Sequence, residues 1–173
     1  RGDLLSVQSL FVLCFSGIAM CMDFLMERVV NGFIVVFFLT GFFWQMGANG
    51  IAGTLSGGLG LLLPCVLLFP LFYFRMLGAG DIKLFSGLGI FLGVTAVFKL
   101  ILCSLFLGGL LSFAFLISCG NFKERFSYFF NYVYEYSQSR VLCAYRKKGS
   151  RPENFHFTVP IFLSVMLYVG GFY

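Results

Sequence analysis

Charge is scarce in this chain. Of its 173 residues, 12 are Lys or Arg, 7 are Asp or Glu and one is His, so charged residues make up only 11%. A soluble domain carries about a quarter charged residues. This composition is too poor in charge to cover a globule with a water-facing surface. Clustered thiols are missing too. The six cysteines, Cys14, Cys21, Cys65, Cys103, Cys119 and Cys143, contain no C-x-x-C pair. That spacing gives no support to a zinc site, and the thiols read as small apolar packing residues. No K/R-rich segment followed by a small-residue cleavage site opens the chain, so the first apolar run reads as a retained span.

What is present is apolar. The chain is 60% hydrophobic and 20% aromatic, with mean hydropathy +0.95. The fold class that follows is an all-α integral membrane protein, one membrane-embedded domain over residues 1–173. A bilayer core takes about 20 apolar residues per helix. Leu4–Met22, Gly32–Gly47, Gly50–Phe74 and Phe157–Tyr173 supply one span each. Ile82–Cys119 has 38 residues, too many for one crossing at about 1.5 Å per residue. Its one charge beyond Lys83 is Lys99, so two spans turning near Lys99 are expected. The total is a bundle of about six transmembrane helices.

The polar segment Asn121–His156 separates the fifth span from the sixth. Phe122, Phe126, Phe129 and Val133 recur at helical spacing. A helix lying at the interface and a cytoplasmic loop are both open readings. Six crossings put this segment on one side with Met22–Asn31 and Arg75–Lys83. That side holds ten of the twelve Lys and Arg residues, and the other holds Arg1 and Lys99. Lys and Arg in short loops mark the cytoplasm, so both termini are expected outside. Arg146, Lys147, Lys148 and Arg151 cluster there, a pattern suited to anionic lipid headgroups rather than nucleic acid.

Among the seven acids, only Asp23, Glu27 and Asp81 lie at span ends. Two spans separate Asp23 from Asp81, and an even number of crossings returns the chain to the same face. A carboxylate at the hydrocarbon edge is costly and marks a functional candidate. Two carboxyls sharing a site hold one proton between them, so one can activate water while the other donates to a carbonyl oxygen. Helix capping is the other reading of both acids, since Asp caps helices well.

The stretch Gly78-Ala79-Gly80-Asp81-Ile82-Lys83 resembles the G-x-G-D-x-K signature of the type IV prepilin peptidases, within the wider GxGD group of membrane aspartyl proteases. Asp23, followed by Arg28 and Asn31 at the end of the first span, resembles that family's first-aspartate segment. Phe157–Ile161 is similar to its C-terminal segment. One departure is Val30, where the family often has Pro. Another is the lack of the internal insert with paired C-x-x-C motifs found in bifunctional members, so the resemblance is to the minimal, peptidase-only form, with no metal or cofactor implied.

The resemblance implies cleavage, at the cytoplasmic face, of a pilin-like precursor with a short basic leader ahead of an apolar helix. Asp23 and Asp81 carry over as the catalytic pair. Gly78 and Gly80 are expected to let the backbone bend and approach closely, exposing Asp81 and leaving room for an extended substrate. Lys83 either favours a neighbouring carboxylate or meets lipid phosphate, and Arg28, beside Glu27, is similarly open. Asn31 reads as structural support through backbone hydrogen bonds. His156, the one histidine, reads as an interface residue, Trp44 as part of the outer aromatic belt, and the small-residue stretch Thr54–Gly60 as a close-packing face. A preflagellin peptidase shares both acids and stays open. So does a small transporter using them as a proton or cation site.

Overall fold

The computed structural model describes residues 2–26, 29–74, 76–118, 127 and 156–172. Apart from short connections, they are helical. The apolar runs leave no alternative in lipid, because a helix satisfies its own backbone where no water can. The elements are α1 (Gly2–Met26), α2 (Asn31–Tyr73), α3 (Ala79–Ser118) and α4 (Thr158–Val169). Val7–Met26, Asn31–Tyr73 and Ala79–Ala114 are long and apolar enough to cross a membrane. Many of their apolar side chains face outward, among them Leu25, Ile51, Val66 and Phe106, as lipid-facing residues do.

Two of these helices are interrupted. At Gly50 the backbone leaves helical values (φ 61°, ψ −150°), dividing α2 into 31–49 and 51–73. At Gly93 it does so again (φ 77°, ψ 178°), dividing α3 into 79–92 and 94–118. The turn expected near Lys99 is therefore six residues earlier, and Lys99 itself is helical. The reason is conformational. A positive φ is cheap only for glycine, whereas one lysine fits an exposed helical position.

The chain divides into two units, Arg1–Gly108 with His156–Tyr173, and Gly109–Phe155. In the first unit, side-chain pairs fix the course of the helices. Phe11 meets Trp44 and Phe15 meets Phe33, so α1 runs antiparallel to 31–49. Residues 51–73 run antiparallel to 79–92, with Cys65 against Ser86 and Gly60 against Gly89. Ser164 donates to the Leu100 carbonyl, and Phe157 lies against Gly108, so α4 runs antiparallel to 94–108. The core is built on stacked rings from three helices, Phe15 on Phe37 (4.3 Å) and Phe37 on Phe91 (5.0 Å). Leu84, Phe85, Leu88, Leu100, Ile101 and Ile161 are buried around them.

The small-residue stretch packs as its composition suggests. A Cβ on Gly57 would come within 2.8 Å of the Ile90 carbonyl oxygen, and one on Gly60 would strike the Gly89 backbone. Helices in lipid gain little from hydrophobic burial against each other, so close backbone approach supplies the packing instead.

In the second unit, residues 109–118 continue the helix and Ser127 is helical. The interfacial helix or loop expected before His156, the basic cluster Arg146–Arg151, Cys119, Cys143, Glu27, Arg28 and Arg75 lie outside the described residues. The four described cysteines are free thiols. Cys14, Cys21 and Cys65 are exposed and Cys103 half-buried, so three of them sit outside the packed interior.

Candidate active site

The end of α1, the starts of α2 and α3, and the start of α4 meet at one end of the first unit. Their polar side chains pair across the helices there. Asp23, in the last turn of α1, accepts two hydrogen bonds on one oxygen. The Thr158 hydroxyl donates to Asp23 Oδ2 at 2.8 Å, and His156 Nδ1 lies 2.9 Å from the same atom. An ionised carboxylate only accepts, so the His156 Nδ1 position carries the proton in that state. Both partners lie more than 130 residues along the chain from Asp23. They arrive because α4 packs antiparallel against α1, with Phe162 on Gly17.

Asp81 lies in the first turn of α3. The Gly78 backbone N–H, just ahead of the helix, donates to Asp81 Oδ2 at 3.3 Å. This is the returning half of a capping box, so Asp81 does cap its helix. That single bond leaves most of the carboxyl's accepting capacity unused, and capping is compatible with a chemical role. Asp81 also lies within electrostatic reach of both Asp23 and His156. The fold thus gathers the two acids with one imidazole.

The glycines depart from the sequence expectation in the bend alone. Neither Gly78 nor Gly80 has a positive φ, so neither supplies a bend that other residues would resist. A Cβ on Gly78 would stand 3.1 Å from Asp81 Oδ2, and one on Gly80 would meet open space. Gly78 provides room for the folded-back carboxylate. Gly80 leaves a gap beside Asp81 on the first helical turn.

Lys83 Nζ donates to the Asn31 side-chain oxygen at 2.9 Å, at an exposed position. Asn31 therefore supports the site through its side chain, tying the start of α2 to the start of α3, rather than through backbone bonds. Lys83 is engaged with an amide. Arg28 falls outside the described residues.

A family model for the type IV leader peptidase family matches residues 10–113. The chain belongs to that family. Membership makes it a peptidase, a hydrolase of peptide bonds, and agrees with the G-x-G-D-x-K resemblance. The match contains Asp23, Asn31, Gly78, Gly80, Asp81 and Lys83 and ends before α4. No curated protein and no solved structure gives a significant match to this leader peptidase family member.

The sequence reading gave neither His156 nor Thr158 a role at Asp23: it placed His156 at the interface and Thr158 only within the Phe157–Ile161 resemblance. A lone histidine at a span end fits an interface as well as a site. The available signal was parity: the same count of crossings that pairs Asp23 with Asp81 also puts residue 156 on their face.

Proposed function

We propose that this chain is an aspartyl endopeptidase with Asp23 and Asp81 as its catalytic pair, removing the short basic leader of pilin-like precursors at the cytoplasmic face of the membrane. The observation that carries the reading is the convergence of two acids, 58 positions apart, in a chain with 7 acids and a leader-peptidase match spanning both. Asp23 is held by two donors, and Asp81 lies within its electrostatic reach.

The chemistry needs one proton shared by two carboxyls. One carboxylate takes a proton from water as the hydroxyl oxygen bonds to the scissile carbonyl carbon. The other gives its proton to the carbonyl oxygen. As the tetrahedral adduct collapses, the C–N bond breaks and the leaving nitrogen takes back a proton from the dyad. Water and peptide are consumed, and acid and amine are released. The coupled pair titrates as a unit.

Location follows from the skew of cations. With six crossings, ten of twelve Lys and Arg residues lie on the side of Asp23 and Asp81, which under the positive-inside rule is cytoplasmic. Anionic headgroups are the partners expected for Arg146, Lys147, Lys148 and Arg151.

The test is precursor processing in membranes. Co-expressed with a pilin-like precursor from the same genome, the wild-type chain shortens it, and Asp23→Asn and Asp81→Asn do not. Processing that survives both substitutions contradicts the reading. A preflagellin-type enzyme is recognised by which precursor it shortens. A proton or cation site tolerates Asp→Glu, whereas a peptidase loses about 100-fold when a reacting group moves by about 1 Å.

A further inference from the structure

His156 and Thr158 stand at the very start of α4, and both reach a single atom, Asp23 Oδ2. Thr158 is buried, while the side chains of His156 and Asp23 are 18% and 17% exposed. The imidazole is also gripped from the side. The Phe24 ring lies 4.7 Å from it, centroid to centroid, at 33° between planes. Phe24 is the residue after Asp23, so α1 supplies both the acceptor for Nδ1 and a wall for the ring. Two donors, one on the first residue of α4 and one just ahead of it, fix a carboxylate's rotation far better than one, because a single bond leaves a hinge.

The stereochemical consequence is definite. A carboxylate oxygen has two lone-pair directions, and on Asp23 Oδ2 both are used. While His156 Nδ1 carries its proton, a proton taken up by Asp23 during turnover goes to Oδ1. We infer that His156 and Thr158 are positioning residues for Asp23, locking Oδ2 so that Oδ1 alone exchanges the proton with the attacking water. The inference rests on the aspartyl peptidase reading and extends it beyond the matched segment, into the start of α4. In the balanced step, one water O–H bond breaks and its proton bonds to Asp23 Oδ1. The hydroxyl adds to the peptide carbonyl carbon, and the proton from Asp81 goes to the carbonyl oxygen. His156 and Thr158 keep their protons throughout.

The contact can be read without activity. His156 is the one histidine in the chain, so a ¹⁵N-histidine-labelled sample in lipid gives a single pair of ring signals. Wild type is expected to show Nδ1 protonated and hydrogen-bonded. In Asp23→Asn the Nδ1 signal is expected to move, and an unmoved signal overturns the contact. Kinetics then test its role, with rates taken per folded molecule. His156→Ala should lower kcat on a pilin-like precursor by about 10- to 100-fold, the scale of a sub-ångström to ångström misplacement, with KM within about twofold. His156→Asn, whose amide nitrogen can occupy the Nδ1 position, should recover most of the loss, as should Thr158→Ser relative to Thr158→Val. In the Asp23→Asn background, His156→Ala should cost nothing further. A wild-type kcat in His156→Ala overturns the positioning role while leaving the peptidase reading intact. Failure of the wild type to shorten any precursor strikes the peptidase reading instead, and the ring signals still decide the contact.

Discussion

The first unit has two polar centres about 22 Å apart along α1, from Gln8 to Asp23 at 1.5 Å per residue, and they are built on opposite principles. Near Gly93 the polar groups are amides. Gln45 Nε2 donates to the carbonyls of Ile90 (3.1 Å) and Phe91 (2.8 Å), Asn49 donates to Gln45 Oε1 (2.7 Å), and Gln8 also donates to Phe91. The break at Gly93 deprives the preceding carbonyls of helical partners, and these amides replace them. Each group is neutral, and among the described residues no buried side-chain polar atom lacks a partner, so the centre closes the break in the helix. At the other end the polar groups are carboxyls and an imidazole. Asp23, Asp81 and His156 lie together, and the carboxylates keep unused accepting capacity. A polar group in lipid is tolerated either when it is fully matched or when it has a task. The comparison separates the two cases.

Five substitutions sharpen it, in falling order of effect. Asp23→Asn and Asp81→Asn should each remove precursor cleavage by at least about 100- to 10,000-fold, the span of general acid–base contributions, with the folded protein still present in membranes. Next, Gly89→Val should reduce the amount of folded chain severely, because the Gly60 backbone occupies the space its side chain needs; membrane abundance and detergent thermostability measure this. Gln45→Leu should cost about 1–3 kcal/mol by leaving buried carbonyls unmatched, seen as a lower unfolding temperature. Activity per folded molecule should be kept. If Gln45→Leu instead abolished turnover without loss of stability, the two centres would not be distinct in kind. Smallest is Lys83→Met, which removes one exposed hydrogen bond to Asn31 and should change stability by about 1 kcal/mol or less.

Much of this was legible from residue order. Asp23 and Asp81 sit at span ends, and parity alone puts them on one face. The stretch Thr54–Gly60 announces close packing, because a cluster of small residues lets helix backbones approach in lipid. Other features were not legible. Gly93 is one of 21 glycines, and composition does not reveal which of them adopts a positive φ; Lys99 drew the turn because charge is visible and φ is not. The Gln45 amide, alone in an apolar run, did carry a signal, since a mid-span amide must find a partner, but its partners are backbone carbonyls that no side chain marks. His156 was hidden by distance. Its partner is Asp23, 133 positions away, and only helix packing joins them.

The central claim is that Asp23 and Asp81 act as one unit, and a double substitution tests it most directly. Single-turnover cleavage of a pilin-like precursor would be measured for Asp23→Asn, Asp81→Asn and the doubly substituted chain at matched folded amounts. Residues that share one proton fail together, so the double variant should be no slower than either single one. Losses that multiply, or substantial cleavage left by either single variant, would contradict the dyad.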